Sequence, residues 1–128
     1  MKKLLFVCVL LMPLSAWSLG LGELVFHSGL NQTADAEIEL ITAQGEDVPD
    51  LKISIAPVSV FEESGVFYRH SLQNLRFSVK NREGNGAFIQ VSSKEPVREP
   101  VMDFILDVVW TSGHLRRNYS AIINPPAH

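Results

Sequence analysis

From Met102 to Trp110 the chain reads MDFILDVVW, with apolar side chains at Met102, Phe104, Leu106, Val108 and Trp110 and carboxylates at Asp103 and Asp107. A period of two makes this a strand with one fully buried face. Ser112-Gly113 supplies a tight turn, and Leu115, Tyr119, Ala121 and Ile123 alternate along the return strand. With those two residues as the loop, Thr111 pairs with His114, Trp110 faces Leu115, Leu106 faces Tyr119 and Met102 faces Ile123. Apolar meets apolar along this face except where Val108 lies opposite Arg117. The hairpin builds a core and holds no chemistry.

Five further segments have strand character. They are Glu23 to Ser28, Ala34 to Ile41, Leu51 to Ala56, Leu75 to Lys80 and Ala87 to Ser92. Ala34 to Ile41 alternates cleanly, with Ala36, Ile38 and Leu40 inward and Asp35, Glu37 and Glu39 outward. Leu75, Phe77 and Val79 form the buried side of the fourth segment. Asn85-Gly86 marks a hairpin turn between the fourth and fifth. Ser59 to Glu62 fits a capping box, and Gly65 can end the resulting short helix in the left-handed conformation. Seven short strands with turns between them and one short helix predict an all-β, antiparallel immunoglobulin-like sandwich.

The N-terminus has its own logic. Lys2 and Lys3 precede an apolar run from Leu4 to Leu14, followed by Ser15-Ala16-Trp17-Ser18. A basic start, a short apolar stretch and small residues at Ala16 and Ser18 predict a secretory signal peptide over residues 1–18. The run is too short to span a bilayer, which takes ~20 residues. Cys8 lies inside it, preceded by Phe6 and Val7, so it is no lipidation site. One domain is expected over 19–126, with 127–128 as a tail and no membrane span once the leader is removed. Without Lys2 and Lys3 the 11 basic side chains fall to 9 against 14 acidic ones, a formal charge of −5. Arg116-Arg117 is the largest basic cluster left, so nucleic acid is a poor partner.

Candidate chemistry is thin. His27, His70, His114 and His128 are scattered singly, with no HxH or HExxH spacing and no thiolate beyond the leader. There is no G-x-S-x-G elbow, and Thr111-Ser112-Gly113 is accounted for by its turn. Asp47 to Asp50 reads as a loop. No catalytic, cofactor-binding or metal-binding residue is assigned, no cofactor is expected, and the chain is read as non-enzymatic. The segment Glu95-Pro96-Val97-Arg98-Glu99-Pro100 is the candidate for partner binding. Two prolines four residues apart forbid helix and interrupt ladder bonding, leaving an extended strip centred on Arg98. It reads either as a clamp, with Arg98 paired to an acid, or as an exposed recognition strip for an envelope partner.

Several separated motifs carry a family resemblance: the LGLGE stretch from Leu19, the DAEIEL strand, the PVREP core and the terminal NPP. Taken in order they cover nearly all of Leu19 to Pro126. They resemble the N-terminal periplasmic domain of the FimV family, proteins of type IV pilus assembly and twitching motility in Gram-negative bacteria. The family's long members continue into a peptidoglycan-binding LysM module, a membrane helix and cytoplasmic repeats, none of which lies within these 128 residues. The resemblance implies a periplasmic address and a partner in envelope or pilus assembly, in the periplasm or the inner membrane. It implies no catalytic residue. The order of elements is also similar to the first domain of periplasmic pilus chaperones, by analogy of fold. Two rival functions stand beside the interaction domain. One is a chaperone-like module lending a strand edge to a pilin or other β-rich client; the other binds a small ligand or a cell-wall fragment.

Overall fold

The computed structural model describes residues 19–42, 49–82 and 86–125. The expected leader, Asp47-Val48, Asn85, Pro126 and the tail lie outside the described residues. Seven strands run β1 (Leu19–Phe26), β2 (Thr33–Thr42), β3 (Lys52–Ile55), β4 (Leu75–Asn81), β5 (Ala87–Pro96), β6 (Val101–Trp110) and β7 (Gly113–Ile122). A short helix, α1 (Val58–Ser64), and a 3₁₀ helix (His70–Asn74) connect β3 to β4. The strands form two antiparallel sheets, ordered β1-β2-β5-β4 and β3-β6-β7. This is the immunoglobulin-like sandwich that the alternation implies.

The core is the meeting of the two inner faces. One sheet contributes Ala36, Ile38, Leu40, Ala87, Ile89 and Val91; the other contributes Met102, Phe104, Leu106, Val108 and Tyr119, all buried. The rows are continuous: Phe26, Ala36, Val91 and Phe77 lie side by side across the first sheet. Burial of each large side chain here contributes roughly 1.5–3 kcal/mol against the unfolded chain. Ile105, on the opposite face of β6, is buried as well, so this central strand is covered on both sides at that point.

The last hairpin departs from expectation in register. Its loop is Thr111-Ser112, with Trp110 paired to Gly113, Leu106 to Arg117, Phe104 to Tyr119 and Met102 to Ala121. Each β7 partner lies two residues earlier than the turn at Ser112-Gly113 would place it. An even shift keeps every side chain on its face, so the buried set survives the change. Packing explains it: a Cβ on Gly113 would lie 3.0 Å from Cζ2 of Trp110, so the glycine seats the indole instead of making the turn. Neither loop residue has positive φ, and the turn is therefore not of the primed type.

Other boundaries also move. β1 begins at Leu19 instead of Glu23, because pairing with β2 recruits a glycine-rich stretch of weak strand propensity. A bulge between Leu21 and Leu24 sets Gly22 and Glu23 against Glu39 alone. The capping box does not form: α1 begins after Pro57, whose carbonyl accepts from Val60 and Phe61, and no side chain caps it. Ser59 is thereby drawn inside the helix. Gly65 does end it, at φ 76°, with Gly65 N bonded to Glu62 O and Val66 N to Phe61 O, the reciprocal pair of a Schellman motif. Val79 is exposed, not buried, because β4 is an outer strand with nothing beyond it.

Candidate interaction surface

Ser93 prepares the path of the proline-bounded hexapeptide. Thr33 pairs with Pro96 and Asp35 with Ser92, so Ser93, Lys94 and Glu95 bulge opposite Ala34. The Ser93 hydroxyl spans the gap: Ala34 N donates to Oγ at 2.8 Å, and Oγ donates to Glu95 O at 2.6 Å. Beyond the bulge, Val97 N donates to Gln32 O at 2.9 Å and Val97 O accepts from Asn31 N at 2.6 Å. Asn31 adopts φ 68° at this point, a conformation that asparagine tolerates better than most residues. The Val97 side chain is buried and anchors the segment.

The hexapeptide thus joins one sheet to the other. Its first half is bonded beside β2, and Pro100 O accepts from Ile123 N at 2.7 Å as β6 begins. β4 accompanies β5 only as far as Ser93, so the strip is bonded on the β2 side alone, with Pro96 in a ladder position opposite Thr33. Of the two sequence readings, the clamp puts a cross-link at Arg98; the structure has one at Glu99. Ser71 Oγ donates to Glu99 Oε1 at 3.0 Å, and Arg69 Nη1 lies 3.9 Å from Glu99 Oε2. Arg98 is exposed and has no ion-pair partner among the described residues. The proline ring at Pro96, the Arg98 side chain and the 3₁₀ helix residues Ser71 and Asn74 border a cleft of about 130 Å³. That is below the usual 300–1,000 Å³ of small-molecule pockets, and its rim is polar.

The outer faces are organised by charge. Arg82 Nη2 donates to Glu37 Oε1 at 2.6 Å, and His27 Nε2 lies 3.1 Å from Glu37 Oε2. The hydrogen bond from Arg82, with a smaller effect from His27, holds the Glu37 carboxyl below its ordinary range. On the other sheet Arg116 grips Asp107 through two bonds of 2.6 and 3.1 Å, which raises the pKa of the guanidinium. Asp103 accepts from Ser120 across the same pair of strands. These pairs occupy solvated surface and do not converge on a cavity. Among the described residues no three His, Cys, Asp or Glu side chains lie close enough to hold a metal ion. No described helix is long and apolar enough to cross a membrane.

One feature that escaped sequence reasoning closes a flank of the sandwich. Arg117 and Tyr119 both point inward from β7 towards the bulge of β1. Arg117 Nη1 donates to Leu21 O at 2.5 Å, and Tyr119 Oη donates to Gly22 O at 2.8 Å. The Arg117 guanidinium also lies 4.8 Å from the centre of the Tyr119 ring. Burial pushes the Tyr119 phenol up to about 12, with Arg117 opposing it. The apparent misfit of Arg117 on an apolar face was the available signal.

Two facing sheets, a bulged first strand and a strip that crosses from one sheet to the other define an immunoglobulin-like domain. Residues 19–126 match the model of the FimV N-terminal domain, described as Ig-like. The chain belongs to the FimV family through this domain. It is 37% identical over 117 residues to "Motility hub protein FimV" of Pseudomonas aeruginosa strain PAO1, and equally so to that of strain UCBPP-PA14. The alignment covers 88% of this chain and 12% of each relative. The chain therefore spans about an eighth of the curated relatives it matches. No solved structure matches it.

Proposed function

We propose that this chain is a non-enzymatic protein-interaction domain of the periplasm that assists the assembly of type IV pilus or cell-envelope machinery. The observation that carries the reading is the match across the whole sandwich, residues 19–126, to the first domain of a motility hub protein. A hub works by holding other proteins, and an immunoglobulin-like domain offers rigid strands and crossovers for that purpose. The leader expected over residues 1–18 supports the periplasmic address. The contact surface is the crossover strip Glu95, Pro96, Val97, Arg98, Glu99 and Pro100. Val97 and Glu99 hold it in place, while Glu95, Pro96, Arg98 and Pro100 are exposed.

The test is one substitution measured two ways. Arg98→Glu should abolish capture of an envelope or pilus assembly protein from periplasm and leave the melting midpoint within a few degrees, because a rim charge governs association more than folding. A large fall in melting temperature, with capture lost only in proportion, returns Arg98 to a structural role. Failure of the wild-type protein to retain any such component removes the interaction reading.

A further inference from the structure

The two flanks of the sandwich are unequal. The β1/β7 flank is closed by Arg117 and Tyr119 reaching the carbonyls of Leu21 and Gly22. The β3/β4 flank has no such clasp among the described residues. Between those two outer strands lies an open groove of about 490 Å³, lined by the apolar Ile53, Ile55, Leu72 and Phe77 and, at its polar side, by Gln73 and Arg76. β4 is the last strand of its sheet, so its alternate amides and carbonyls point away from β5 into this space.

The charges on β4 state which strand would fit. Its outer face carries Arg76, Ser78 and Lys80, whose neighbours across β5 are Ser92, Gln90 and Phe88. None is acidic, and neither Arg76 nor Lys80 makes an ion pair among the described residues. The acids of the same face stand on β2, where Glu37 takes Arg82 and Asp35 takes Gln90. A second copy of this chain is a poor occupant, since antiparallel pairing of β4 about Ser78 sets Arg76 opposite Lys80.

We infer that β4 accepts an extended segment of a partner protein as a further strand, with apolar side chains alternating into the β3/β4 groove and acidic ones lying over Arg76 and Lys80. Backbone bonds to the free edge give the pairing, and the groove and the two cations give register and sign. The pattern required is that of β2 itself, where Ala36, Ile38 and Leu40 alternate with Glu37 and Glu39. The inference rests on the interaction reading above but uses a different surface, bordered by Leu72 and Gln73 of the 3₁₀ helix where the strip's cleft is bordered by Ser71 and Asn74.

The probe is a blocked, fluorescent eight-residue peptide of alternating valine and glutamate, with a lysine-for-glutamate version as control, titrated against the mature protein. The glutamate peptide should bind roughly tenfold more tightly than the lysine peptide, weaken as salt rises, and slow amide exchange in Leu75–Asn81. The double substitution Arg76→Glu, Lys80→Glu should invert the preference, while the melting midpoint stays put. Equal binding of the two peptides, binding of neither, or exchange protection elsewhere overturns the inference and leaves the cations as guards against edge-to-edge association. Capture from periplasm by this double variant separates the two proposals. Undiminished capture sinks the groove and spares the interaction domain, whereas a wild-type protein that captures nothing sinks the interaction domain.

Discussion

The most demanding test of the closed flank is the alkaline behaviour of Tyr119. Tyr119 is 4% exposed, its phenol donates to Gly22 O at 2.8 Å, and burial pushes the phenol pKa from 10.0 to about 12. A pKa raised in the folded state means that folding favours the protonated form. The linked stability is fully present below pH ~10 and is lost as pH rises through the folded value near 12. Two pH units at 1.36 kcal/mol each make this about 2–3 kcal/mol across that window. Tyr119→Phe keeps the ring against Phe104, 5.8 Å centre to centre, and removes the titrating group. At pH 7 the variant should lose about 0.5–1.5 kcal/mol for the missing hydrogen bond, since Arg117 Nη1 still lies 3.3 Å from Gly22 O. Between pH 10 and 12 the gap should close and reverse, because the wild type alone must deprotonate a buried phenol. Urea melts of both proteins at pH 7, 10, 11 and 12 read the difference directly. A constant gap over the whole range would show that the phenol is not buried against β1, and the clasp would be wrong.

Phe104→Ala empties a fully buried site between Phe77 and Tyr119 and should cost about 3–5 kcal/mol, against under ~1 kcal/mol for Asp103→Ala on the solvated side; equal losses in denaturant melts would refute the facing of β6. Gly65→Ala should cost about 1 kcal/mol through its φ of 76° alone, since no atom lies within 4 Å of the added Cβ; an unchanged midpoint would mean that the helix ends elsewhere. Ser93→Ala removes the hydroxyl that spans the β5 bulge and should cost about 1–2 kcal/mol, seen together with faster amide exchange at Ala34. N-terminal sequencing of protein recovered from periplasm should begin at Leu19; a membrane-bound species retaining Lys2 and Lys3 would refute export of a soluble domain.

The candidate strip is legible in the sequence as a special segment, but the residue that ties it down is not. Two prolines and three charges within six residues announce an irregular crossing, yet whether Arg98 or Glu99 holds it depends on Ser71 and Arg69, which lie about 30 residues earlier in the chain. Nothing local distinguishes a serine that caps a helix from one that spans a bulge, so Ser59 was assigned a bond it does not make and Ser93 was passed over. The 3₁₀ helix at His70–Asn74 is too short to leave a periodic signal. Arg117 was visible as an anomaly on an apolar row, but its partners are main-chain carbonyls, which no side-chain pattern can name.

Alternation is a local property, written into each strand by the opposite projection of successive side chains. For that reason Ala36, Ile38, Leu40, Phe104, Leu106 and Val108 could be assigned to the core before any coordinate, and seven such segments could be assigned to an antiparallel sandwich. Pairing is a long-range property. The choice between two hairpin registers that bury the same faces came down to the fit of Trp110 over Gly113. The extension of β1 to Leu19 needed β2 beside it, and the inner or outer position of each strand was settled by the assembly of the sheets. That last decision made β4 an outer strand, because exposure of a strand's amides depends on its neighbours and not on its own residues.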